Sequence, residues 1–273
     1  MGRPRKYTLN ENYFESINTK NKAYIVGFIY ADGSVTNNCL SLVIKESDIE
    51  ILEFIKNELN YGGEIKSFVH KTNGNKYIRL SLHSKKIVND LINIGIIKNK
   101  TFLSKSLPKI CDYLFSDMLR GFFDGDGSIY KSKNINRKQE EYTISFSSNK
   151  FVLEEIKEKL LTLTISSAKI RYRNKNSIFS GNLEIRGNTN IEKFKNFIYS
   201  DDSFKLSRKY NMFLDFNEML NTLTRRNQSL NTIEKIKSLY NSGLKQFEIS
   251  KKLEIPFSTI RSTIQRLRLK KLI

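Results

Sequence analysis

The apolar and polar positions of this chain form two similar series. In the first, Leu40 to Ile44 is an apolar, strand-length run. Ser47-Asp48 offers a helix N-cap to Ile51, Leu52, Ile55 and Leu59, which recur at helical spacing up to residue 59. Two more strand-length runs cover 64–69 and 77–82, and Val88, Leu91 and Ile92 mark a helix that stops before Gly95. In the second series, 142–146 reads as a strand, 152–163 as a helix, 168–173 and 182–186 as strands, and 191–198 as a helix. Each series follows a segment of one design. Ile25-Val-Gly-Phe-Ile-Tyr-Ala-Asp-Gly-Ser34 precedes the first and Leu119-Arg-Gly-Phe-Phe-Asp-Gly-Asp-Gly-Ser128 the second. With one further strand placed near each motif, each half is compatible with the order αββαββα. The expected fold class is α+β, a tandem pseudo-symmetric repeat.

A different pattern follows the second repeat. Residues 222–230 are polar and read as a linker. Ile233, Ile236 and Tyr240 start a helical pattern that Ser242-Gly243 ends. Residues 244–253 form a second candidate helix, Glu254-Ile255-Pro256 a turn, and 257–267 a third helix with Ile260, Ile264 and Leu267 inward. This small all-α segment is similar to the helix-turn-helix modules of resolvases and small repressors. Its third helix would expose Ser258, Thr259, Arg261, Ser262 and Gln265, types suited to phosphates and base edges in a major groove. The expected domains are an N-terminal arm 1–19, repeats 20–115 and 116–221, the linker 222–230, and the helix-turn-helix 231–273.

The paired motifs carry candidate chemistry. Gly27 and Ala31, like Gly121 and Gly125, are spaced i, i+4, so each pair puts two small residues on one helix face. Two such faces allow close approach of helix backbones, which makes these four residues the expected interface between the halves. Asp32 and Asp126 would then lie side by side at the helix ends, where two carboxylates repel unless a cation or proton lies between them. Oxygen ligands there suit a hard cation such as Mg²⁺. Gly33 and Gly127 would let the backbone leave each helix in a left-handed or extended turn. An EF-hand starting at Asp124 fails, because Ile129 and Ile135 stand where that loop needs Gly and Glu. A dinucleotide-binding glycine motif fails at Tyr130.

Charge then narrows the partner. The chain has a formal charge of +19 over 273 residues. Residues 1–115 hold 17 basic and 11 acidic side chains, 116–230 hold 20 and 14, and 231–273 hold 10 and 3, so the tail is the most basic per residue. A polyanion is the indicated partner. Within 168–173, Lys169, Arg171 and Arg173 alternate with Ile170 and Tyr172, which places three cations on one sheet face. Lys66, Arg79 and Arg186, with Lys45, could extend that face. The arm Gly2-Arg3-Pro4-Arg5-Lys6 resembles an AT-hook core. Cys39 and Cys111 are the only cysteines and His70 and His83 the only histidines, too few for a disulfide framework or a Cys-rich zinc site. No run reaches the roughly 20 apolar residues of a membrane span, and no apolar stretch follows the basic N-terminus. The expectation is an intracellular chain that is not secreted, in the cytoplasm or wherever its target DNA resides.

The two motifs and the order of elements after them, over about residues 20–215, resemble the single-chain, two-motif LAGLIDADG homing endonucleases. The resemblance implies a DNA-binding saddle whose paired motif helices place Asp32 and Asp126 on catalytic metals, with Ala31 and Gly125 counted in the metal site. It implies Mg²⁺ as cofactor, with Mn²⁺ as a substitute. The implied activity is hydrolysis of both strands of a long double-stranded DNA target by a monomer of internal pseudo-twofold symmetry. A lysine after the last helix of each repeat is implied near the reaction, here Lys100 and Lys209, with Lys98, Lys205 and Arg208 open within a register of one or two residues. Tyr30 departs from the acidic residue common in the family; the second copy keeps Asp124 there. Two alternatives share this fold: a DNA-binding regulator that has lost cleavage, and an intron RNA-splicing maturase. Survival of both Asp32 and Asp126 favours the enzyme.

Overall fold

The structure, a computed structural model, describes residues 6–70, 74–97, 106–134, 139–166, 169–172 and 180–269. Two compact units divide the chain, Met1–Phe213 and Leu214–Ile273.

The first unit is a mixed fold built from the same sequence of elements twice. Helix α1 (Lys20–Asp32) leads into β1 (Gly33–Val35), β2 (Cys39–Lys45), α2 (Ile49–Glu58), β3 (Lys66–Val69), β4 (Lys76–His83) and α3 (Lys85–Asn93). Helix α4 (Phe115–Asp126) leads into β5 (Gly127–Asn134), β6 (Gln139–Ser148), α5 (Lys150–Thr162), β7 (Lys169–Tyr172), β8 (Gly181–Arg186) and α6 (Asn188–Ile198). The two strands left unplaced by the apolar pattern are β1 and β5, which begin at the residue following each motif aspartate. Each repeat forms a four-stranded antiparallel sheet of one order, β1-β2-β4-β3 and β5-β6-β8-β7. The double αββαββα reading therefore holds among the described residues.

Alternation sets the sheet faces. In β2 and β4, Leu40, Leu42, Ile44, Ile78, Leu80 and Leu82 are buried, and Val43 pairs with Arg79 on the open face. In the second repeat, Ile144, Phe146, Leu183 and Ile185 point inward. Phe122 stacks on Phe146 with centroids 5.9 Å apart, and Phe123 meets Phe146, Phe194 and Phe213 edge-on or tilted. These rings form the second repeat's core under the motif helix.

One sequence expectation gives way. Residues 222–230, expected as a linker, lie inside a continuous helix α7, Ser207–Asn241, which starts in the first unit and runs into the second. Polarity misled here, because Thr-Leu-Thr-Arg-Arg-Asn-Gln-Ser-Leu contains neither Pro nor Gly to stop a helix already under way.

In the second unit, α7 ends before Gly243, whose φ is +90°. It is followed by α8 (Gln246–Leu253) and α9 (Phe257–Leu269). Glu254 closes α8 in the left-handed conformation, and the Glu248 carboxylate accepts the Lys245 N–H at 2.7 Å at its start. Ile236, Ile249, Ile260 and Ile264 form a core, with Leu239, Tyr240, Leu244, Leu253 and Ile255 against it. One apolar stripe from each of α8, α9 and the last turns of α7 suffices to hold the three together. Ser258, Thr259, Arg261, Ser262 and Gln265 are all exposed on α9, as the spacing predicts.

Candidate nucleic-acid interface and carboxylate site

Helices α1 and α4 pack backbone to backbone. A Cβ added at Gly27 would fall 1.9 Å from the Met118 carbonyl oxygen, and one at Gly121 would fall 1.9 Å from that of Tyr24. A Cβ at Gly125 would meet the Ala31 Cβ at 2.2 Å. The four small residues expected at an interface thus occupy the crossing itself, and only glycine fits at 27, 121 and 125.

The close approach sets the helix ends. Asp32 and Asp126 are the last residues of α1 and α4, and both are exposed. Gly33 and Gly127 follow with φ of −74° and −85°, the extended alternative, and each starts a strand. The Asp32 carboxylate reaches the other helix, with Oδ2 3.2 Å from where a Gly125 Cβ would lie. A carboxylate at a helix C-terminus faces the negative end of the dipole, which typically disfavours it by about 0.3–1 kcal/mol. Two such carboxylates could hold a bound cation. Their donors are oxygens, which suits a hard divalent ion. Among the described residues no three or more His, Cys, Asp or Glu side chains form a metal cage. Main-chain carbonyls, water or a phosphate would have to complete the coordination, for which Ala31 and Gly125 stand at the right helix ends.

Behind α4 lies a buried polar network that the sequence did not reveal. The Tyr24 hydroxyl donates to Asp124 Oδ2 at 2.8 Å across the helix interface, and Asp124 Oδ1 makes no hydrogen bond. Burial pushes the Asp124 carboxyl up to about 6, against the opposing pull of Lys209 and the Tyr24 hydrogen bond. Arg120 is 1% exposed, and its Nη1 donates to Asp117 at 2.7 Å and to the Ile198 carbonyl at 2.8 Å. Its guanidinium lies 5.2 Å from the Tyr24 ring centroid. Motif alignment puts Val26 and Tyr30 where α4 has Arg120 and Asp124, so the charged members of the network belong to the second repeat alone.

Lys209 is 3% exposed. Its ammonium donates to the carbonyls of Phe123, Asp124 and Gly127 at 2.5, 2.7 and 2.6 Å. Burial lowers its pKa to about 8. An ammonium has three hydrogens, so this lysine spends all of them on the end of α4. In this arrangement it caps the helix that carries Asp126. The next residue back, Arg208, is the accessible one. Its side chain is 55% exposed and forms a two-bond contact with Asp48, Nε at 3.1 Å and Nη2 at 2.8 Å. Burial opposes ionisation of Asp48, but the Arg208 contact outweighs it and holds the carboxyl below its usual range. Arg208 and Asp32 line one cavity of about 380 Å³ with Lys45, Ser47, Asp48, Tyr77 and Asp124. Lys98 and Lys100 lie outside the described residues.

The cationic faces fall where alternation puts them. Lys66, Arg79, Lys169, Arg171 and Arg186 are exposed; Arg173 lies outside the described residues, as does most of the basic N-terminal arm. Lys66 pairs with Arg79 across β3 and β4, and the Arg79 guanidinium lies 4.9 Å from the Phe68 ring. Lys66 and Arg79 also line a groove of about 620 Å³ with Lys6, Tyr7, Tyr61, Ser81 and His83. On the second sheet, Glu184 sits between two cations, 3.0 Å from Arg171 and 3.0 Å from Arg186. Sequence reasoning missed Glu184 because it counted the strand's cations and not the acid on the same face. Period two places Glu184 and Arg186 together and gives the signal.

Residues 116–199 match the model of the LAGLIDADG-like domain. Comparison with the curated proteins finds no match. Among solved structures, the chain resembles the LAGLIDADG homing endonuclease I-GzeII in complex with its DNA target at 15% identity and a TM-score of 0.54, over 75% of this chain and 91% of the other. It resembles the meganuclease I-SmaMI bound to uncleavable DNA at 14% identity and a TM-score of 0.50, over 82% and 98%. The LAGLIDADG meganuclease I-CpaMI bound to uncleaved DNA gives 15% and 0.50, over 77% and 94%. Residues 116–199 thus match a LAGLIDADG-like domain, and the chain has the fold of the LAGLIDADG meganucleases.

Proposed function

We propose that this protein is a site-specific double-stranded DNA endonuclease that hydrolyses one phosphodiester in each strand of a long target with the help of Mg²⁺, for which Mn²⁺ can substitute. The observation that carries the reading is the glycine-tight pairing of α1 and α4, which brings the Asp32 carboxylate against Gly125 at the end of the helix bearing Asp126. Two exposed acids end the paired motif helices of a chain of formal charge +19. Asp32 and Asp126 would hold the metal. A bound divalent cation would activate water and neutralise charge on the phosphate. The chain's own groups grip and orient the duplex. Lys66, Arg79, Lys169, Arg171 and Arg186 meet phosphates and base edges from the two sheet faces. Ser258, Thr259, Arg261, Ser262 and Gln265 on α9 supply a second reader whose tethering raises effective concentration. Internal pseudo-symmetry makes one chain sufficient, and the target DNA sets the compartment.

The test is incubation with Mg²⁺ and a randomised duplex library, beside Asp32→Asn and Asp126→Asn. Selective double-strand cuts by the wild type that vanish in both variants, with DNA binding retained, support the reading. Tight binding without cutting by the wild type would refute it and leave a DNA-binding regulator.

A further inference from the structure

Four buried polar atoms behind α4 have no hydrogen bond among the described residues: Arg120 Nε and Nη2, Asp124 Oδ1 and the Tyr199 hydroxyl oxygen. Arg120 and Asp124 are 1% and 2% exposed, so bulk solvent does not serve them. The bonds that are made bring these groups together. Arg120 and Asp124 are spaced i, i+4 on α4, so their side chains share one helix face. Arg120 Nη1 donates to Asp117 and to the carbonyl of Ile198, the residue before Tyr199. Tyr24 packs its ring against the guanidinium and donates its hydroxyl to the other oxygen of Asp124. The charges of Asp124 and Arg120 both act on the Tyr199 hydroxyl.

The open groups complement one another in kind. A guanidinium has five donors in a rigid plane, and two of them are spent at Nη1. The Nε and Nη2 hydrogens along the opposite edge can converge on a single acceptor. Asp124 Oδ1 needs a donor, and the Tyr199 hydroxyl can give or take a hydrogen bond. Water accepts two hydrogen bonds and donates two, and buried water typically makes about three. It therefore suits all three residues at once. An ion does not, because an anion would lie against Asp124 and a cation against Arg120.

We propose that buried water is bound here, bridging the Nε–Nη2 edge of Arg120, Asp124 Oδ1 and the Tyr199 hydroxyl. It extends the polar seam between α1 and α4 to the end of α6, whose C-cap is Tyr199. Holding a water in place costs entropy, so the seam stays weaker than an apolar one, while its polar groups are spared full desolvation. The first repeat has no counterpart, since Val26 and Tyr30 stand at the positions of Arg120 and Asp124. Neither metal nor DNA takes part, so this site stands or falls apart from the endonuclease reading.

The test uses the full chain in metal-free buffer. A crystal structure should show water within about 2.6–3.2 Å of Asp124 Oδ1 and of Arg120 Nε or Nη2. The Leu206 N–H also acts on Asp124. Closure of that N–H or of the guanidinium onto Oδ1, with no water between, overturns the proposal. So does an anomalous signal at the site in crystals grown with bromide, since the ligand would then be an anion. Thermal melting of Tyr199→Phe needs no crystal, and its sign decides. Removing a hydroxyl that binds water breaks a hydrogen bond and leaves the water short of a partner. The midpoint should then fall by roughly 2–4 °C. Removing a hydroxyl buried with nothing to bind relieves a desolvation cost and should raise the midpoint. A fall supports the site, and an unchanged or raised midpoint overturns it.

Discussion

A methyl group at the helix crossing tests whether close packing or local propensity governs the motif helices. Ala is favoured over Gly inside a helix by about 1 kcal/mol, so propensity predicts that Gly121→Ala stabilises the chain. The structure predicts the opposite sign. The new Cβ would lie 1.9 Å from the Tyr24 oxygen and 2.8 Å from the Phe28 nitrogen, both main-chain atoms. No rotamer relieves such contacts, and the helices must separate by about 1 Å or more. Overpacking typically costs about 1–3 kcal/mol, and rigid neighbours place this case at or above the top of that range. After the propensity gain, the net loss should be about 2 kcal/mol or more. For a unit of this size that is roughly 4–8 °C in melting temperature. Tyrosine signals report on the right unit, since 12 of the 13 tyrosines precede residue 214 and none of the chain is Trp. Urea unfolding should show a lower midpoint with an unchanged slope.

A methyl exchange at the same seam sharpens the test. Gly125→Ala meets the Ala31 methyl at 2.2 Å, whereas its next neighbours, Asp32 Oδ2 and the Ala31 Cα, are 3.2 and 3.6 Å away. Ala31→Gly removes the clash, and one glycine gained offsets one lost in propensity. Gly125→Ala alone should therefore lose about 2 kcal/mol, and the double variant should recover to within about 1 kcal/mol of the wild type. The cycle predicts a coupling of roughly 2 kcal/mol. Additive effects, or a Gly121→Ala variant as stable as the wild type, would refute backbone contact between α1 and α4.

Two further predictions concern the buried charges. Lys209→Met leaves three buried carbonyls at the end of α4 without their donor, at about 1–3 kcal/mol each where no water replaces it; thermal melting should fall by 10 °C or more if the ammonium caps the helix, and a melting point within about 2 °C of wild type would rule this out. For Asp124, the folded carboxyl holds its proton up to about pH 6 while the unfolded chain releases it near 3.9, so the folded state binds more protons between those values and stability falls as pH rises through them. Relative to Asp124→Asn, the wild type should lose up to about 3 kcal/mol from pH 4 to pH 7 by the 1.36 kcal/mol-per-unit relation, read as the difference between their urea midpoints; a pH-independent difference would contradict a buried, protonatable Asp124.

Periodicity carried much of the architecture into view. Apolar positions such as Leu40, Leu42 and Ile44 predict their strand faces because burial on one side of a sheet imposes period two. Gly27 and Gly121 predicted a close helix pair because nothing else in an apolar helix calls for a missing side chain twice. The failures come from interactions that no local pattern encodes. Asp48 looked like an N-cap, and its partner Arg208 is far along the chain. Lys209 reads in the sequence as one more surface cation, and only the fold reveals three carbonyls around its ammonium. The helix through 222–230 was hidden by polar side chains, which say where a surface is and not where a helix ends.

The asymmetry between the repeats has its own logic. Val26 and Tyr30 on α1 correspond to Arg120 and Asp124 on α4, and the polar pair is buried at the seam. A buried carboxylate with one unpaired oxygen and a buried guanidinium with Nε and Nη2 unpaired weaken a helix interface. Two glycine-faced helices without such groups, however, could pair like with like as readily as with each other. Asp124 finds its donor in Tyr24, at a position where α4 itself has Met118. An α4–α4 pairing would bury two acids opposite methionines, while the α1–α4 pairing satisfies Asp124 with a tyrosine hydroxyl. The polar seam therefore trades stability for choice of partner. The unlike helices pair, and the small-residue faces are used against each other.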